Sequence, residues 1–153
     1  MFIVLQNPNI FKIFVITMIM ELVVMIKPEA MEFDDEIIRI FDRDTKSTRI
    51  FDGMALMTLP LFDVFYGHLK EHPNDFYGTF MDDLVDKTVR TAIYNGEVGL
   101  FLPVRGVARE LIQRRLQQIP NAGNYVRNGV HCSSDVDAAD RESRAVRNFF
   151  ISY

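Results

Sequence analysis

The residues of this 153-residue chain with the most chemical capacity are three histidines, one cysteine, an acidic run and a late group of arginines. His68 and His72 stand four apart, and on a helix that spacing puts both imidazoles on one face. Two such imidazoles grip zinc when a third ligand converges on them, and Glu71 or Asp75 could add oxygen. The third ligand is not legible. No metal is assigned, His68 and His72 stay as the metal candidates, and their plain reading is two surface histidines near a helix end. Glu32, Asp34, Asp35 and Glu36 invite a metal or acid–base reading. Without a histidine at ligand spacing they read as a solvated loop. His131 precedes Cys132, but neighbours on a strand point to opposite faces, so adjacency argues against a catalytic dyad and for an inert core thiol. The chain carries no phosphate-binding glycine loop, nucleophile elbow, HExxH or paired CxxC. No catalytic residue and no cofactor are therefore assigned.

The arginines are the remaining candidates. Net charge is −4, unevenly placed. Residues 1–88 hold 15 acidic and 8 basic side chains, a net of −7, whereas residues 89–153 hold 6 and 9, a net of +3. All nine late cations are arginine. Their planar donor forks suit phosphate or carboxylate, and Arg105, Arg109, Arg114 and Arg115 fall on one predicted helix, 105–119. These four are the candidate contacts for a partner or a nucleic acid.

The elements that must position these residues form one α+β domain: a few short antiparallel strands packed with three to four helices. Its length suits a single core. Residues 31–153 are assigned to that domain, and residues 1–30 to an apolar N-terminal segment. Ile10–Ile26 is nearly all apolar, broken by Lys12, Thr17 and Glu21. At 17 residues with an internal carboxylate it is short for a span. It reads first as a buried element, second as a membrane anchor and last as a processed leader, and Met18, Met20, Met25 and Met31 leave the true start open. Arg39-Ile40-Phe41-Asp42 recurs as Arg49-Ile50-Phe51-Asp52 around a polar turn, which predicts a β-hairpin over 37–52. Pro60 opens a helix that ends near His72. Thr79 and Asp82 predict a helix start, the apolar stripe Phe80–Ile93 its body, and Asn95-Gly96 its stop. Val98–Val104 reads as a buried strand ended by Pro103. Ser133-Ser134-Asp135 starts a thinly apolar, peripheral helix over 137–147, and the tail Phe149–Tyr153 docks as a last strand or enters a partner.

Charge asymmetry, missing catalytic motifs and an apolar tail favour a non-enzymatic, small acidic interaction protein: an adaptor, inhibitor or regulator binding another protein. The alternatives are a nucleic-acid-binding module using helix 105–119, and an accessory domain anchored in a membrane through residues 10–26. One cysteine excludes an intramolecular disulfide, which is easiest to reconcile with the cytoplasm.

Overall fold

The computed structural model describes residues 2–3, 14–15, 19–116 and 128–151. Two dipeptides, β1 (Phe2–Ile3) and β2 (Phe14–Val15), pair antiparallel. The body of the molecule is a four-stranded antiparallel sheet made by β3 (Ile19–Ile26), β4 (Thr48–Leu56), β5 (Thr88–Glu97) and β6 (Val130–Cys132), in the spatial order β4-β5-β3-β6. β3 lies between β5 and β6, with Val24 opposite both Ala92 and Cys132. Five α-helices cover the sheet: α1 (Asp34–Asp44), α2 (Leu59–Tyr66), α3 (Phe76–Leu84), α4 (Val98–Arg115) and α5 (Val136–Val146). The α+β class is the expected one. The helix count among the described residues exceeds the expected three to four.

The sheet separates two cores, because successive side chains on a strand face opposite ways. Leu22, Val24, Ile26, Ala92 and Tyr94 pack against α1 and α4 through Ile37, Phe41, Phe101, Ala108 and Ile112. Val23, Met25, Val89 and Ile93 pack against α2, α3 and α5 through Phe62, Phe65, Phe80, Leu84 and Val146.

Several predicted elements are corrected. The repeated tetrapeptide is not a hairpin: its first copy lies in α1 and its second in β4, which pairs with β5. Ile37, Ile38 and Phe41 form a buried helical stripe, and Asp34, Asp35 and Glu36 occupy the favourable first turn of α1. Nor are those carboxylates simply solvated. Arg90 donates to Asp34 at 3.0 Å, to Asp35 at 2.7 Å and to Asp52 at 2.6 Å, joining α1 to the sheet.

The predicted helix 80–93 is really two elements. Asp75, not Thr79, caps α3 by accepting from the Gly78 N–H at 3.0 Å. The chain turns at Asp86, with φ 64°, and continues as β5. β5 is buried on both faces, so it shows no alternation, and its continuous apolar run imitates a helical stripe. Gly96 lies inside this strand; a Cβ there would meet the Ser47 hydroxyl at 2.0 Å.

The predicted strand 98–104 is the start of α4. Phe101, Val104, Ala108 and Ile112 recur at helical spacing and are buried, and that burial outweighs the roughly 3 kcal/mol that an internal Pro103 costs. Helix α5 is not peripheral: Ala139, Glu142 and Val146 are buried beneath it. Within the apolar run 10–26, Ile19–Ile26 is an inner strand with Leu22–Ile26 wholly buried. Residues 10–13 and 16–18 lie outside the described ones. Among the described residues no helix is long and apolar enough to cross a membrane. The tail was expected to dock as a strand or enter a partner; Arg147–Ile151 forms a π-helical turn from which Phe149 packs on the second core, and residues 152–153 lie outside the description.

Candidate functional site: a histidine–carboxylate pair in a cationic cavity

Strand β6 places three consecutive side chains in two environments. Val130 and Cys132 join the core under α1 and α4. His131 emerges on the other face, where its ring meets Phe65 edge-on at 5.2 Å and Tyr66 at 5.7 Å. Both aromatic residues come from the last turn of α2. Beyond β6, Asp135 caps α5 by accepting from the Ala138 N–H at 2.8 Å. Two turns on, Glu142 lies on the buried side of α5 at 1% exposure.

Glu142 Oε1 lies 2.7 Å from His131 Nε2 and accepts from the Ser133 hydroxyl at 3.0 Å. Ser133 is itself fixed to β3, donating its N–H to Val23 O at 3.0 Å and accepting from the Val23 N–H at 3.1 Å. A carboxylate only accepts, so Nε2 carries the proton of the pair and the lone pair of the neutral ring resides on Nδ1. Nδ1 makes no hydrogen bond among the described residues.

The pair opens into a cavity of about 540 Å³, lined also by Lys27, Arg105, Arg109, Arg141, Asn128 and His68. Lys27 follows β3 directly and precedes Pro28. Its N–H donates to Gly129 O at 2.8 Å and its Nζ to Asn128 Oδ1 at 3.0 Å. The close approach requires Gly129, at φ +82°, because a Cβ there would meet the Ile112 side chain at 2.5 Å. The Lys27 Nζ lies 4.8 Å from the Phe80 ring, which stacks on Tyr66 at 4.6 Å. Lys27 is 2% exposed, and burial pulls its ammonium down to about 7. Glu29 and Asp83 oppose that shift, while Arg109 and Arg105 reinforce it. Arg105 and Arg109 stand one turn apart on α4, and Arg109 donates from Nε and a terminal nitrogen to Val130 O at 3.0 and 2.8 Å. Asp135 and Asp137 also line the cavity, on the α5 side, while Lys27, Arg105 and Arg109 supply positive charge that attracts an anion, and Glu142 holds the imidazole in one tautomer.

The four candidate arginines do not form one surface. Arg105 and Arg109 line the cavity. Arg114 is exposed and donates to Glu110 O at 3.4 Å, and Arg115 lies 3.4 Å from Glu36 with its guanidinium over Phe33. His68 and His72 are not on one α-helical face, because α2 ends at Tyr66, a 3-10 turn spans Gly67–Glu71, and His72 is extended. His68 lines the cavity. His72 is exposed, with Nδ1 accepting from the Asn74 N–H at 3.1 Å. Among the described residues no group of three or more His, Cys, Asp or Glu could hold a metal ion. Cys132 is buried with its thiol pushed up to about 11 by desolvation, so little thiolate forms near neutral pH.

Sequence reasoning passed over His131, Lys27, Asn128, Ser133 and Glu142 as site residues. A helical wheel on α5 would have exposed one signal: Glu142 shares its face with Ala138, Ala139, Ala145 and Val146, and a carboxylate on an apolar face needs a partner.

The site is thus an acid-paired histidine at the end of a short strand, within a split β-α-β-β-α-β sheet fold. Solved structures similar to this chain include nucleoside diphosphate kinases. That of Aquifex aeolicus is 20% identical with a TM-score of 0.61, covering 84% of this chain and 95% of its own. That of Borrelia burgdorferi, a transition-state mimic with vanadate and ADP, is 14% identical with a TM-score of 0.64, covering 83% and 86%. A family protein of Babesia bovis is 21% identical with a TM-score of 0.58, covering 82% and 86%. No protein-family model matches the chain, and no curated protein does. At these identities the likeness establishes the fold. The expected non-enzymatic adaptor, inhibitor or regulator is corrected by these neighbours, which are nucleoside diphosphate kinase family proteins, and by the convergence of the chain's polar groups in a cavity.

Proposed function

We propose that this protein is a phosphotransferase that moves the terminal phosphoryl group of a nucleoside triphosphate to a nucleoside diphosphate, with His131 as the nucleophile. The observation that carries the reading is the 2.7 Å His131–Glu142 pair inside the cationic cavity; the nucleoside diphosphate kinases of the same fold supply the substrate class.

In the first half-reaction the Nδ1 lone pair attacks the terminal phosphorus. The bond from that phosphorus to the bridging oxygen breaks, and its electron pair leaves with the nucleoside diphosphate. The ring becomes cationic as the N–P bond forms, and the Glu142 carboxylate against Nε2–H stabilises that charge. In the second half-reaction a terminal oxygen of another nucleoside diphosphate attacks the phosphorus, and the N–P electron pair returns to Nδ1. Lys27, Arg105 and Arg109 supply positive charge for the phosphate oxygens.

Incubation with terminally radiolabelled nucleoside triphosphate and magnesium gives a protein-bound label that is acid-labile, alkali-stable and chased off by unlabelled nucleoside diphosphate. His131→Asn removes the label. Equal labelling of His131→Asn and wild type, or no labelling of wild type, overturns the reading.

A further inference from the structure

Glu142 faces His131 through one oxygen, and the residue beside it in the chain reaches behind both. Arg141 donates from Nε to Val64 O at 3.0 Å, and a terminal nitrogen lies 4.0 Å from Glu142 Oε2. Val64 belongs to the last turn of α2, where helix carbonyls lack onward partners and a cation is favoured by the helix dipole. The next two residues, Phe65 and Tyr66, are the rings that bound the His131 imidazole.

His131 is therefore held between an acid wall on α5 and an aromatic wall on α2, and Arg141 bonds from one to the other. Phe65 and Tyr66 fix the ring edge-on, and Glu142 fixes its proton. Both constraints act together only while α2 and α5 keep their spacing. Arg141 itself is half-exposed, so its charge alone is screened. Its geometric contribution is the directed bond to Val64 O.

We propose that Arg141 is a positioning residue: it locks the α2 aromatic wall to the α5 acid wall and so keeps His131 in the Nε2–H tautomer with Nδ1 ready to react. The inference rests on His131 being the phosphoryl acceptor for its kinetic part, and on the geometry alone for its structural part.

The test compares Arg141→Gln and Arg141→Lys with wild type in the full chain. Imidazole nitrogen chemical shifts of His131, measured without nucleotide, report the tautomer directly. Wild type shows the Nε2–H form, Arg141→Gln a mixture of tautomers, and Arg141→Lys a partial return. The single-turnover rate of His131 labelling falls roughly tenfold in Arg141→Gln, as expected for a lost positioning contact. ADP affinity stays within about twofold and the melting temperature changes little. An Arg141→Gln variant with wild-type His131 shifts and a wild-type labelling profile overturns the inference, as does a loss of rate matched by equal losses of ADP affinity and thermal stability. If the shifts change as expected and wild type never takes label, the positioning role stands and the phosphotransfer reading falls.

Discussion

The two faces of the sheet are built from the same strands and do opposite things. Under α1 and α4, Leu22, Val24, Ile26, Phe41, Phe101 and Cys132 pack with no solvent exposure and almost no polar groups. Under α2, α3 and α5 the same sheet carries a comparable apolar cluster, but one side of it is opened by Lys27, His131 and Glu142. Cys132 and His131 are consecutive residues of β6 and belong to different faces. One face supplies stability that does not depend on chemistry. The other accepts the cost of burying a lysine and a carboxylate, offset by Asn128, Ser133 and His131, and gains a site.

Substitutions on the two faces give separable effects. The largest expected change is in His131→Asn, which loses at least about 10³-fold in nucleotide-dependent labelling when a nucleophile is removed, with the protein still folded and its urea midpoint lowered less than in Phe41→Ala. On the opposite face Phe41→Ala costs about 3–5 kcal/mol in urea unfolding, because it empties a fully buried ring position between Tyr94 and Phe101. If His131→Asn unfolded the protein, or Phe41→Ala removed labelling without loss of stability, the division between the faces would be wrong.

The buried ammonium sharpens the contrast by pH. Lys27 titrates at about 7 when folded, against an ordinary value of 10.5 when unfolded. Between those values the unfolded chain binds more protons, so this group makes stability rise with pH. Below about 7 both states are charged, and the folded one bears the whole desolvation cost. Lys27→Met is therefore more stable than wild type at pH 6 by an amount of order a few kcal/mol, and the difference shrinks as pH rises toward 10. Denaturant melts of both proteins across pH 6–10 read this directly, and a difference that grew with pH would refute it. The smallest effect is expected for Cys132→Ala, about 1–2 kcal/mol of stability and no change in labelling rate, measured beside His131→Asn on the same strand.

Some of this was readable in the sequence. The Pro60 and Asp135 helix starts, the core position of Cys132 and the α+β class all follow from local chemistry, since capping and periodicity act within a few residues. The opposite facing of His131 and Cys132 follows from the two-residue period of any strand. Other features were decided by long-range contact. Arg39–Asp42 and Arg49–Asp52 are the same four residues, yet one copy is a helix over a core and the other an edge strand beside β5. Phe80–Ile93 has a helical stripe and is divided between α3 and β5, because a strand buried on both faces has no alternation to reveal it. The site belongs to this second kind. Lys27, Asn128, His131 and Glu142 come from the end of β3, the approach to β6, β6 itself and α5, and Lys27 meets Asn128 across 101 positions of chain. What the sequence by itself determined was which residues could carry charge, cap a helix or line a core. Which of them meet was decided only by the tertiary structure, because sheet pairing and helix packing bring together groups that no local spacing connects.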